Sequence, residues 1–114
     1  MEIKGEKYNI AYDAENAAIS CSGTLDFRGK EGYKEMAALL EEAVNAESPD
    51  IILDIRKLEF LNSSGITTLG GFIIKIRKKG ASHLTIRGSK KYSWQARSVK
   101  GLQKLLPSMN QEFE

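Results

Sequence analysis

Apolar and polar positions alternate with a period of two in two early stretches. "YNIAYD" (8–13) and "AAISCSGTLD" (17–26) read as strands, and "AEN" (14–16) between them reads as a turn, so the pair forms a hairpin. The period then changes. In "GKEGYKEMAALLEEAVNA" (29–46), Tyr33, Met36, Leu40 and Val44 fall on one helical face, with Glu35, Glu41 and Glu42 largely off it. Ser48-Pro49 stops that helix, because proline cannot continue it. "DIILDIRKL" (50–58) is a short, nearly continuous apolar run with β-branched residues, the pattern of a strand covered on both faces.

A second helical pattern follows in "GITTLGGFIIKIRKK" (65–79). Ile66, Leu69, Ile73 and Ile76 recur at helical spacing, and Phe72 and Ile74 widen the stripe. Lys75, Arg77, Lys78 and Lys79 crowd its end, where cations complement the helix dipole, and Gly80 is the expected C-cap. "SHLTIRG" (82–88) alternates again as a strand. "SWQARSVKGLQKLL" (93–106) reads as a final helix with Trp94, Val99, Leu102 and Leu105 or Leu106 inward, ended by Pro107; the tail "SMNQEFE" carries little signal. The order β-β-α-β-α-β-α defines an α/β fold with a mixed sheet of about four strands and three helices mainly on one face. Its later strands are expected to be parallel through right-handed crossovers.

Length and composition narrow the class. A chain of 114 residues with 41% hydrophobic residues is expected to be one domain, 1–114, with one core. Lys+Arg number 17 against Asp+Glu 15, so charge points to neither a nucleic-acid nor a membrane partner. No apolar run approaches the roughly 20 residues of a membrane span, and the first residues lack an apolar signal-peptide centre, so a cytoplasmic location is expected. Cys21 is the only cysteine, so an internal disulfide is ruled out. Its strand-like setting predicts a buried, unreactive thiol.

The stretch "EFLNSSGITTLGGF" (59–72) joins an apolar strand to a helix N-terminus, the edge of an α/β sheet where ligands and chemistry gather. Three readings compete for its serines. A nucleophile is the weakest: "LNSSG" is one glycine short of a G-x-S-x-G elbow, and the only histidine, His83, has no evident place beside Ser63. Helix capping by Ser63 or Ser64 is expected whatever the function. A phosphate acceptor is the third, because free amides and the positive dipole end tolerate added negative charge there.

"IILDIRKLEFLNSSGITTLGGFIIKIRKKG" (51–80) and "SHLTIRGS" (82–89) resemble the STAS family, the domain of anti-sigma-factor antagonists and of sulfate-transporter tails. The family shows an apolar strand ending in Asp, a segment like F-x-D-S-S-G, and a helix ending in basic residues and Gly. "SGTLDF" (22–27) resembles its G-x-L-D strand end. The resemblance implies a STAS fold and a non-enzymatic, phosphorylation-controlled partner-switching protein of the anti-sigma factor antagonist type. Ser63 is then the phosphate acceptor, with Ser64 second. Asp26, Asn62, Ser63, Ser64, Gly65 and Thr67 form the expected partner surface. The implied partners are a serine kinase that doubles as an anti-sigma or switch protein, and a serine phosphatase. A monomer or weak homodimer is expected.

The chain departs from the family pattern twice. The Asp position is Asn62, which can cap but carries no charge. The alternative is therefore a constitutive scaffold, or a small-ligand or nucleotide-binding module. Also, only "SMNQEFE" follows the last helix where the family often adds a strand and a helix, so the sheet edge there is expected to be exposed or to pair with something else.

Other features read more plainly. "GTLDFRGKE" (23–31) fails the phosphate-loop spacing, and Asp26 within it is expected to cap or order the loop near the serines. "KIRKKG" (75–80) reads as a solvated helix end, and Trp94 as a core anchor within "RGSKKYSWQAR" (87–97). His83 has no second ligand at useful spacing, so no metal or cofactor is implied. Gly70-Gly71 inside a helix costs about 1 kcal/mol per glycine relative to alanine, which close packing on the sheet or on a partner would explain.

Overall fold

Six strands, in sequential order, make one sheet in the computed structural model, which describes all 114 residues. β1 (Glu2–Lys4), β2 (Tyr8–Asp13) and β3 (Ala18–Leu25) form an antiparallel meander. β4 (Asp50–Leu61), β5 (His83–Gly88) and β6 (Asn110–Phe113) then add in parallel to β3. Each parallel step requires a crossover, filled by α1 (Gly29–Gly32) with α2 (Lys34–Asn45), by α3 (Ser63–Lys79) and by α4 (Ser93–Gln103). Because the strand order never reverses, crossovers of one hand lay every helix on the same face. Burial follows: Ile19, Leu53 and Ile86 are sealed on the helix side, whereas their neighbours Ser20, Asp54 and Arg87 are half-exposed or exposed on the other.

The element count therefore rises to six strands and four helices, from about four and three. The two missed strands lie at the sheet edges. The tail read as carrying little signal forms β6, with Ile86 against Gln111 and Gly88 against Phe113. The β5 edge, expected to be exposed or paired with something else, is thus paired by the chain's own tail. A Cβ on Gly88 would stand 2.5 Å from the Phe113 ring, so the glycine makes room for that closure. The helix expected over 29–46 is two pieces broken at Tyr33, whose backbone leaves the helical region (φ −96°, ψ 10°).

β4 corrects the expectation of a strand covered on both faces. Ile51, Leu53 and Ile55 are buried and alternate with half-exposed Ile52 and Asp54. Two bulges then lengthen β4 against β3: Ser20 and Ser22 face Asp54 and Lys57, and Gly23 and Thr24 face Leu58 and Phe60. Each inserts one residue, so the inward period becomes three and Leu58 and Leu61 stay in the core. The bulges carry β4 beyond the end of β5 and deliver residues 62–65 to the carboxyl edge of the sheet.

Candidate functional site

The turn from β4 into α3 is organised by Asn62. Its backbone is still extended (φ −80°, ψ 176°), so it, rather than either serine, is the N-cap. Oδ1 accepts from the Gly65 amide (3.0 Å) and from the Tyr33 hydroxyl (2.7 Å). Nδ2 donates to the Phe27 carbonyl (2.7 Å). One side chain thus ties α3 to the break before α2 and to the β3–α1 loop. The Asn62 amide adds a bond to Leu25 O (3.2 Å), and the Phe27 ring packs edge-on against Tyr8 and Tyr33 (centroids 4.9 and 5.1 Å). Asn62 therefore does something an aspartate cannot, because the bond to Phe27 needs an N–H donor.

With the cap supplied by Asn62, the serines are released from that role. Ser63 is exposed and its hydroxyl makes no hydrogen bond; its carbonyl accepts from Thr67 Oγ1 (3.1 Å). Ser64 is half-buried, and its Oγ accepts from the Gly29 amide (3.3 Å). Thr67 is exposed one turn along. Gly65 is buried: a Cβ there would stand 2.2 Å from Leu61 Cδ1 and 2.8 Å from the Tyr33 hydroxyl. Asp26 is exposed beside this loop, and its carboxylate forms neither a hydrogen bond nor an ion pair, so Asn62 orders the loop instead. The structure brings all six candidate residues to one edge, with Ser63, Thr67 and Asp26 outermost.

Sequence reasoning missed Gln95. Its side chain is fully buried and donates to Ile55 O (2.7 Å) and Leu58 O (2.8 Å) while accepting from the Ser89 amide (2.8 Å). Trp94 Nε1 donates to Glu59 O (2.8 Å). Together these α4 side chains satisfy the carbonyls of β4 where β5 has ended and no strand can. A polar residue inside an amphipathic helix beside a tryptophan is the only sequence trace of this arrangement. Phe60, 48% exposed two residues before Asn62, stands on the surface next to the turn.

Charge is distributed unevenly. Burial pushes the Tyr33 phenol up to about 12, so it stays a neutral donor to Asn62. Burial likewise pushes the Cys21 thiol up to about 12. Burial acts to raise the Asp54 carboxyl, but the Arg56 guanidinium, bonded to both its oxygens, outweighs this and holds it below the usual carboxylate range. The sole histidine sits at the opposite end of the sheet: His83 pairs with Asp50 at the start of β4, roughly 30 Å of strand from Ser63. Beside the serines runs a groove between α2 and α3 of about 410 Å³, lined by Tyr33, Ala37 and Leu40 on one side and Ser64, Thr68 and Gly71 on the other.

A mixed sheet with helices on one face, carrying a serine-bearing helix at the carboxyl edge of a central strand, defines a small α/β domain built around an exposed turn. The chain belongs to the STAS family: the STAS domain model matches residues 9–90. Among solved structures it is similar to SiaC of Pseudomonas aeruginosa (TM-score 0.75, 16% identity, covering 100% of this chain and 96% of that one). It is equally similar to a chain in the complex of the diguanylate cyclase SiaD with its activator SiaC from the same organism (TM-score 0.75, 15% identity, 100% and 99% covered). An anti-sigma factor antagonist from Mycobacterium paratuberculosis also matches (TM-score 0.64, 19% identity, 95% and 90% covered). At these identities the likeness is one of fold. Comparison with curated protein sequences found no match. No helix is long and apolar enough to cross a membrane.

Proposed function

We propose that this STAS domain is a cytoplasmic, non-enzymatic partner-switching protein of the anti-sigma factor antagonist kind, with Ser63 as its phosphate acceptor. The observation that carries the reading is the division of labour at the turn: Asn62 caps α3, the Gly29 amide engages Ser64, and Ser63 Oγ is exposed without a partner. A phosphate there adds about −1.5 to −2 charge at a helix N-terminus, which tolerates it without unfolding. The change falls on the surface formed with Asp26, Ser64 and Thr67, so a protein bound there is released by repulsion and crowding. The binding protein is a serine kinase of the anti-sigma or switch type, and a serine phosphatase restores the unmodified state. SiaC, similar in fold, is an activator bound to a diguanylate cyclase, which supports protein binding as the business of such a domain.

Peptide mass spectrometry of the protein from its own cells, with and without phosphatase treatment, tests the reading. Phosphate on Ser63 is expected. Its absence across growth conditions, with Ser63→Asp and wild type binding the same proteins equally, would make the domain a constitutive binding module.

A further inference from the structure

The groove between α2 and α3 has features that capping and partner switching leave unused. Its volume of about 410 Å³ lies within the roughly 300–1,000 Å³ of small-molecule sites. Its body is poor in donors. Thr67 and Thr68 commit their hydroxyl protons to Ser63 O (3.1 Å) and Ser64 O (2.9 Å). Leu40, Phe72, Ala37 and the Tyr33 ring supply apolar surface. The two ends differ in charge. At the far end Lys75 is neutralised by Glu41 (3.0 Å). At the near end, about 16 Å away along α3, Lys30 lines the groove without an ion pair, beside the amide-rich start of the helix.

Gly71 is the second, independent observation. A Cβ on Gly70 would lie 3.5 Å from Leu105, in ordinary packing contact, whereas one on Gly71 would meet no atom within 4 Å. Gly101 is equally open but sits in the last turn of α4, where a glycine matters least. In the middle of α3, nothing in the packing asks for glycine at 71, and its effect is to keep the groove wall cut back.

We propose that this groove binds a small amphipathic monocarboxylate, with its aromatic or aliphatic body along Ala37, Leu40 and Gly71 and its carboxylate at Lys30. The site does not depend on Ser63 being phosphorylated, so its failure and the failure of the switch are separate results. The test is an amide-resolved NMR titration of the intact, unphosphorylated chain with 4-phenylbutyrate, against 4-phenylbutylamine and acetate. Saturable shifts at Lys30, Ala37, Thr68 and Gly71 are expected with phenylbutyrate, with the amine bound about five- to tenfold more weakly and acetate not at all. Gly71→Ala keeps binding; Gly71→Phe fills the groove and abolishes it with thermal unfolding unchanged; Lys30→Glu weakens it about five- to tenfold. If Gly71→Phe does not fold, Ala37→Met narrows the opposite wall and carries the same expectation. Equal binding of acid and amine, shifts located elsewhere, or binding that survives the filled groove would overturn the proposal.

Discussion

Replacing Asn62 tests the turn directly, and its magnitude can be worked from the three side-chain bonds. In Asn62→Ala the Gly65 amide loses its cap, worth about 1 kcal/mol. The Tyr33 hydroxyl, on a residue only 1% exposed, and the Phe27 carbonyl lose their partners, at about 1 kcal/mol each or more. The expected loss is about 3 kcal/mol. Asn62→Asp separates the terms. A carboxylate still accepts from Gly65 and Tyr33 and gains about 0.3–1 kcal/mol from the helix dipole. It cannot donate to Phe27, and an oxygen would face the carbonyl at the 2.7 Å now spanned by an N–H···O bond. That loss and repulsion, about 2 kcal/mol, exceed the gain and leave a net cost of about 1 kcal/mol. Urea unfolding followed by Trp94 fluorescence should rank wild type above Asn62→Asp above Asn62→Ala with unchanged m-values. An Asn62→Asp protein as stable as wild type would refute the donor role, and an Asn62→Ala protein within about 0.5 kcal/mol would refute the cap.

Other outcomes follow from the same contacts. Gln95→Leu keeps the volume but strands the Ile55 and Leu58 carbonyls and the Ser89 amide; a loss of about 2–4 kcal/mol is expected in denaturant unfolding. Gly65→Ala forces a methyl against Leu61 and the bonded Tyr33 hydroxyl, and should lower stability by about 1–3 kcal/mol while Ser63 stays exposed to a kinase in vitro. Cys21, buried with its thiol pushed up to about 12, should resist iodoacetamide at pH 8 until denaturant is added; rapid labelling of the native protein would contradict its burial. Asp54 titrates below its unfolded value, so its stabilisation is present above about pH 4 and fades as pH falls through the lower folded pKa. Asp54→Asn should flatten the acid limb of the stability profile and leave the region above pH 5 parallel to wild type.

Long, periodic elements were legible in the sequence because their signal is local. The hairpin over 8–13 and 17–26, the apolar faces of α2 and α3, and the strand read over 82–88 lie within a residue or so of where the pattern puts them. What escaped depends on contacts distant in sequence. Asn62, Ser63 and Ser64 are all good N-cap residues, so preference cannot choose among them; the choice is made by Tyr33 and Phe27, about 30 residues away in sequence, which hold Asn62 extended. Gly65 reads locally as loop flexibility, yet Leu61 and Tyr33 close over it. β6 offers only Gln111 and Phe113 on its inner face, too short a pattern to show a period. The β4 bulges break the alternation that would have extended the strand past residue 58.

The same long-range contacts decide where a partner can act. The helix-free face of the sheet looks available, but over β4, β5 and β6 its charges answer one another: Arg56 with Asp54 (2.8 Å) and Glu114 (3.3 Å), and Arg87 with Glu112 (3.1 Å). A charged partner there would have to displace bonds already made, for little return between exposed groups. The carboxyl edge is the reverse. Asp26 and Arg28 make no ion pair, Ser63 Oγ has no bond, and Phe60 offers an exposed ring two residues before Asn62. Unspent charge, a free hydroxyl and an apolar anchor stand on a turn made rigid by Asn62, so a protein binding at the proposed surface would meet a preorganised face and lose little ordering entropy. Under the proposed switch, rigidity would also make one added phosphate effective, because a turn held by three side-chain bonds cannot swing the new charge away. If Ser63 is the phosphate acceptor proposed above, Asn62 is the support that would let its modification act on the partner rather than on the fold.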